Sequence, residues 1–299
     1  MHSQKKHVVV TGAAGRLGSQ IAIDLSLGGY RVTRLRRSDL DISSAPSVNK
    51  TMDALLPDVI VNCSAYNAVD AAESNADHAF AANAHGPAAL AAAAARLDAM
   101  LVHYSTDFVF DGAAAEPYAE DSATNPLNVY GASKLAGEQE VGAILRHYIL
   151  RVESLFGGRA VGQRATVDFI ADNLYAGESV RAIIDRTVSP SDVGDVVRAT
   201  TALIEGNAPF GTYHCVTSGF TTWYELAREI AQYCGRGRVI PVEADEFPTV
   251  APRPRYCALS NSKLLGRGIM MPTWRTALRR HLAVREIPAQ AVSARVRTA

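Results

Sequence analysis

The sequence predicts an α/β fold, a doubly wound parallel sheet carrying a smaller C-terminal lobe, on three observations. Short β-branched runs alternate with apolar-periodic segments from residue 7 to residue 152, as in strand–helix units that assemble a parallel sheet. Between the first run and the first periodic segment stands Gly12-Ala13-Ala14-Gly15-Arg16-Leu17-Gly18, a pattern suited to a tight turn that opens a helix. Beyond about residue 155 the alternation loosens and turns multiply, at Gly157-Gly158, Ser189-Pro190 and Asn207-Ala208-Pro209, which marks a second lobe.

His7 to Val10 is the first strand. Ile21, Leu25 and Leu27 give the next segment one apolar face before Gly28-Gly29 stops it. Tyr30 to Leu35 reads as the second strand, Ala45 to Leu55 as a helix, and Asp58 to Asn62 as a strand apolar on both faces, as burial in a parallel sheet requires. Ala79 to Leu97 predicts one Ala-rich helix, its run at 91 to 95 serving helix packing. Leu101 to Tyr104 is a strand ending in Ser105-Thr106-Asp107, Tyr130 to Leu145 a helix and Tyr148 to Val152 a further strand. In the second lobe Thr222 caps a helix reaching Tyr233, with Glu225 completing the cap pattern. Pro248, Pro252 and Pro254 mark an extended stretch; Ser260 to Leu265 and Trp274 to Leu282 read as helical, and periodicity ends near 285. The expected division is a dinucleotide-binding domain over 1–155, rejoined by about 180–205, a substrate lobe over 156–285 and a tail over 286–299.

At 299 residues the chain can bury a substantial core unaided, so stability does not demand an oligomer and a homodimer stays open. Lys plus Arg and Asp plus Glu are 30 each; the resulting zero net charge offers no global field for nucleic acid or an anionic membrane, and neither is an expected partner. Cys63, Cys215, Cys234 and Cys257 form no Cys-x-x-Cys pair and no metal-like spacing with the eight His, so reduced thiols and no metal site are expected. The basic Met1 to Lys6 stretch precedes an apolar run of only three Val, too short for a signal peptide or a span. A cytoplasmic protein is the expectation.

Gly12, Gly15 and Gly18, with Arg16 and Leu17 between them, allow a dinucleotide pyrophosphate close to the helix N-terminus. Where an acidic residue would bind a ribose diol, the second strand ends in Arg34-Leu35-Arg36-Arg37. Guanidinium groups of Arg36 and Arg37 can pair with a 2′-phosphate, favouring NADPH with NADH still open, although solvated surface Arg is the plain alternative. Asp41 and Ile42 follow and can flank the adenine. Tyr130 and Lys134, four apart on one helix, share a face. The ammonium favours phenolate there and makes Tyr130 a better acid and base. The Thr106 hydroxyl, at a strand's carboxyl end, can polarise a carbonyl; its plain alternative is a cap.

These residues resemble the extended short-chain dehydrogenases of Rossmann type and, among them, the dTDP-4-dehydrorhamnose reductase family. The resemblance rests on Asp58 to Asp70, Asn83-Ala84-His85-Gly86-Pro87, His103 to Gly112, Pro126 to Glu138, Gly211 to Cys215, Trp223 to Ala227 and Ala251-Pro252-Arg253-Pro254. It implies NAD(P)H-dependent reduction of the C4 ketone of a small-molecule nucleotide sugar, with Thr106, Tyr130 and Lys134 as catalytic residues. It further implies sugar contacts at Thr106 and Asp107, cofactor contacts at Ser64, Ala65, Tyr66 and Tyr104, and a nucleotide phosphate contact at Arg253. The chain departs from the family in Arg151-Val152-Glu153-Ser154-Leu155-Phe156-Gly157, where Ser154 replaces a Trp beside the sugar. A smaller wall at Ser154 and a carboxylate at Glu153 predict a sugar other than dTDP-4-dehydrorhamnose, bulkier or amino-bearing, unless Glu153 faces solvent or holds a loop. Gln20 stands where some relatives carry an acidic ligand of a bridging magnesium, and Val188-Ser189-Pro190-Ser191 alters a Gly-x-Pro-Thr element. Two other functions share the fold: a non-catalytic regulatory subunit, as in methionine adenosyltransferase, and a nucleotide-sugar epimerase or dehydratase.

Overall fold

The computed structural model describes residues 5–158 and 164–296; the Met1 to Gln4 part of the basic terminus and the last three residues of the tail lie outside them. The first part of the chain runs β1 (His7–Thr11), α1 (Arg16–Leu27), β2 (Arg31–Leu35), α2 (Ala45–Leu55), β3 (Val59–Asn62), α3 (Val69–Ala72), α4 (Ala76–Phe80), α5 (Gly86–Arg96), β4 (Met100–Thr106), α6 (Val129–Gly142) and β5 (His147–Val152). It continues with β6 (Leu155–Phe156), α7 (Thr166–Tyr175), β7 (Ser179–Ile183), β8 (Thr187–Val188), β9 (Ser191–Asp192), α8 (Val193–Glu205), β10 (Gly211–His214), β11 (Thr221–Thr222), α9 (Trp223–Cys234), β12 (Arg238–Val242), α10 (Ser262–Leu265) and α11 (Trp274–Val296).

Six parallel strands form the main sheet in the order β2-β1-β3-β4-β5-β10. Alternation of side chains decides what each face buries. Val8, Val10 and Val61 pack with Ile21 of α1 and Val196 of α8, whereas Val9 and Ile60 face Met52 of α2 and Leu90 of α5. Each such fully buried aliphatic side chain contributes about 1.5–3 kcal/mol over its exposed state. Helices thus cover both faces, and the chain changes direction along the sheet between β1 and β3. A crevice forms at the carboxyl ends of strands at such a switch point.

The second lobe has its own core, in which Leu174 of α7, Leu226 and Ile230 of α9, Val180 of β7 and Leu278 of α11 meet. Helix α9 begins after Thr222, whose hydroxyl accepts from the Glu225 amide at 3.1 Å, as the cap pattern predicts. Helix α11 continues past Leu282 to Val296, beyond the point near 285 where the apolar periodicity ends. Ser260 and Asn261 remain outside the short helix α10. Among the described residues no helix is long and apolar enough to cross a membrane.

The single helix expected over 79–97 is instead α4, a π-helical turn at Ala81–His85, and α5. Pro87 explains the break: within a regular α-helix its ring would meet the carbonyl of Asn83 and leave it without a donor.

Candidate active site

At the end of β1, Gly12 adopts φ 63°, and a Cβ there would lie 2.6 Å from the Cys63 backbone. Only glycine lets this turn nest against the end of β3. Gly15 then caps α1 without a side-chain hydrogen bond, so the first-turn amides face the crevice ready for an anion. This cradle fits a pyrophosphate. Arg16 ties it to the second lobe, donating from Nη1 to the Gly157 carbonyl at 2.6 Å and pairing with Asp168 at 3.5 Å.

Two buried asparagines hold the floor, and sequence reading gave neither a role. The Asn62 Oδ1 accepts from Thr11 Oγ1 at 2.7 Å and from the Ser64 amide at 3.1 Å, while its Nδ2 lies 3.0 Å from His103 Nδ1. Asn83, on the π-helical turn, accepts from the Tyr66 amide at 2.8 Å and donates to the Tyr66 carbonyl and Ser133 Oγ at 3.1 and 3.0 Å. It thereby clamps the Ser64-Ala65-Tyr66 loop onto α6. Pro87 was the signal in the sequence, since a proline there forces the turn that presents Asn83.

Helix α6 starts where Asn128 Oδ1 accepts from the Gly131 amide at 2.7 Å. That start sets the Tyr130 ring edge-on to Phe108, with centroids 5.9 Å apart. One turn later Lys134 Nζ donates to the Tyr104 carbonyl at 2.5 Å. Burial pushes Lys134 down to about 8, against the opposing charges of Glu138 and Cys63. Burial also raises Tyr130 above the ordinary phenol range, the Asp107 charge adding to it and a hydrogen bond with Thr106 opposing it. Burial, rather than the Lys134 ammonium, is thus the first influence on the Tyr130 proton, and it favours the neutral phenol. The Thr106 hydroxyl donates to Asp107 Oδ1 at 2.8 Å and accepts from the Phe108 amide at 3.2 Å. It is therefore a cap and a wall of the crevice at once.

The crevice measures about 530 Å³ and brings together Gly15 to Gly18, Ser64, Ala65, Tyr104, Thr106, Asp107, Tyr130, Lys134, Glu153 and Ser154. Asp107, Glu153 and Ser154 also line a second cavity of about 360 Å³, shared with Arg253, Arg181, Arg186, Phe169, Trp223 and Phe247. Arg253 is held by Asp70 at 2.9 Å and lies over the Phe108 ring. Glu153 does not face solvent, being 3% exposed, but it does hold a loop, the other half of the plain alternative: Oε2 accepts from the amide of Ser189, between β8 and β9, at 2.6 Å. Its carboxyl is raised well above the usual range, by burial first and then by Asp107. Asp107 is pushed up to about 6, chiefly by burial. Together with Cys257 these two bring ligand atoms within 4.8 Å of one another, a grouping that no spacing in the sequence signals.

Other expected contacts stand apart from the crevice. Arg36 and Arg37 are exposed just beyond β2, as is Asp41, whose carboxylate accepts from Ser43 and is held low by those bonds. The Ile42 side chain is buried in the core, where a Cβ on Gly86 would lie 2.8 Å from it. Little of that side chain is left at the surface for the expected contact with adenine. The Tyr104 hydroxyl points to Thr200 Oγ1 of α8 at 2.7 Å, so only the rest of Tyr104 meets the crevice.

A family model described as the RmlD substrate binding domain matches residues 6–286. The chain belongs to this family. Among RmlD-family relatives, dTDP-4-dehydrorhamnose reductase of Mycobacterium tuberculosis (strain ATCC 25618 / H37Rv) is 37% identical over 294 residues, covering 95% of this chain and 94% of the relative. A dTDP-4-keto-6-deoxy-D-glucose reductase of Streptomyces niveus is 36% identical over 278 residues, covering 90% and 94%. The crystal structure of Bacillus anthracis dTDP-4-dehydrorhamnose reductase in complex with NADP matches with a TM-score of 0.88 and 34% identity, over 94% of this chain and 99% of that one. The resemblance to the dTDP-4-dehydrorhamnose reductase family read from the ordered motifs therefore holds, and so does the Rossmann-type fold.

Proposed function

We propose that this RmlD-family chain is an NADPH-dependent reductase acting on the C4 ketone of a nucleotide-linked deoxysugar. One observation carries the reading: the crevice that joins the glycine turn to Thr106, Tyr130 and Lys134 opens through Asp107, Glu153 and Ser154 into the second cavity. A dinucleotide suits the first space and a sugar nucleotide the second, with the sugar at their junction. When bound, the dinucleotide supplies the hydride. Tyr130 holds the proton that neutralises the new alkoxide, and its burial keeps that proton in place until charge develops on the substrate oxygen. Thr106 turns its hydroxyl from Asp107 to the carbonyl oxygen. Lys134 sets a positive charge beside the phenolate left behind, in a site where low polarity strengthens the effect. Phe169, Trp223 and Phe247 offer flat apolar walls to a base. Arg186, whose buried Nε has no hydrogen-bond partner among the described residues, suits a phosphate.

NADPH is the reductant favoured by Arg36 and Arg37 and by the NADP-bound relative. The test is a panel of nucleotide-linked 4-keto sugars assayed with NADPH: at least one is expected to consume NADPH and yield the C4 alcohol. Binding of NADPH without turnover on every member of the panel would replace the reading with that of a non-catalytic nucleotide-binding subunit.

A further inference from the structure

The junction of the two cavities holds an acceptor with nothing to accept. Glu153 is 3% exposed, its Oε2 is taken by the Ser189 amide at 2.6 Å, and its Oε1 is buried without a hydrogen-bond partner among the described residues. Asp107, 4% exposed, presents its carboxyl to the same space, with Cys257 completing a group whose ligand atoms lie within 4.8 Å. No ion pair reaches either carboxyl among the described residues. Two carboxyls this close and this buried cannot both carry charge without a counter-ion, so the pair retains a proton. Tyr130 and Lys134 in the crevice, the Cys257 thiol, and Arg181, Arg186 and Arg253 on the second cavity are the other titratable or charged groups around it. The thiol donates to the Pro254 carbonyl at 3.5 Å and is also in hydrogen-bond contact with Asp107, which leaves Glu153 Oε1 unserved, and the arginines and Lys134 form no ion pair with either carboxyl among the described residues.

We propose that Asp107 and Glu153 recognise a protonated amino group on the sugar ring, making a nucleotide-linked amino-4-keto sugar the preferred substrate. The proposal rests on the reductase reading above and names the class of sugar within it. An ammonium supplies both missing things, a donor for Oε1 and a positive charge that lets both carboxyls ionise. The proton held by the pair then leaves to solvent. A hydroxyl at the same place brings no charge and leaves that proton where it is. The Thr106 hydroxyl, which meets the carbonyl, lies 2.8 Å from Asp107 Oδ1, so the amine belongs on the carbon beside the one reduced. Ser154, small and at φ 45°, leaves room for it at the end of β5.

Calorimetry on the NADPH complex decides the matter with two unreactive probes: a thymidine-diphosphate-linked 3-amino-3,6-dideoxyhexose, already an alcohol at C4, and its 3-hydroxy counterpart. Titrations at neutral pH in buffers of different ionisation enthalpy report proton release. The amino probe is expected to bind at least about tenfold more tightly, roughly the effect of one well-formed charge pair, and to release close to one proton while the hydroxy probe releases none. Glu153→Gln, which keeps an oxygen for the Ser189 amide, erases both differences. Equal affinities, or no proton release in the unaltered protein, would overturn the proposal. So would a preference that vanishes on adding EDTA, which would assign the cluster to a metal ion. Failure here leaves the reductase reading standing, since that reading falls only if no 4-keto nucleotide sugar is reduced.

Discussion

Tyr130 offers a direct test of the chemistry, because Tyr130→Phe removes the proton and leaves the ring packed on Phe108. We expect kcat to fall at least about a hundredfold, the usual contribution of a positioned acid, with NADPH affinity little changed by titration of its fluorescence. Near-normal turnover would remove Tyr130 from the reaction. Lys134 sets the pH dependence. Its pKa is lowered to about 8 by burial, so its charge is present below that pH and is lost as pH rises through it. Reduction should therefore decline above about pH 8, whereas an exposed lysine would hold its charge to about 10.4; a rate flat into that range would contradict the assignment. Both residues were legible in the sequence because helix spacing fixes which face they share. Their proton affinities were not, since desolvation depends on what α6 is buried against.

The π-helical turn between α4 and α5 is the element on which the crevice floor depends. A Cβ on Gly137 of α6 would lie 2.0 Å from the Asn83 carbonyl, so Gly137→Ala must displace either the turn or α6. The expected cost is about 1–3 kcal/mol, as for other overpacked sites, seen as a lower melting temperature with a raised KM for NADPH. A variant as stable as the parent, with unchanged KM, would show that the clamp on Ser64 to Tyr66 is dispensable. Periodicity could not reveal this element, because the Ala-rich segment carries the same apolar pattern whether its turns are α or π. Strands β1, β3, β4 and β5 were readable for the opposite reason, since burial on both faces leaves an unbroken apolar run. The two-residue strands β6, β8, β9 and β11 carry no such signal.

Across the whole molecule the glycine turn, α7 and α11 are joined at Asp168, which pairs with Arg16 at 3.5 Å and with Arg285 at 2.5 Å and shares a hydrogen bond with His281 Nε2 at 2.8 Å. These contacts join residues more than a hundred positions apart and were invisible to local reading. Cofactor choice also bears on residues outside the crevice lining, since Arg36 and Arg37 stand exposed beyond β2. The double change Arg36→Ala, Arg37→Ala should abolish the preference for NADPH over NADH, measured by calorimetry with each nucleotide; equal binding of both by the unaltered protein would show the arginines to be surface charge alone. The central claim, that one chain carries out ketone reduction at the junction of the two cavities, is tested most directly by following NADPH and the C4 alcohol together during turnover of a nucleotide-linked 4-keto-6-deoxysugar. The account predicts that they change in equal amounts with the unaltered protein and that both nearly cease in Tyr130→Phe. A sugar altered without NADPH consumption, or NADPH bound and never consumed, would contradict it.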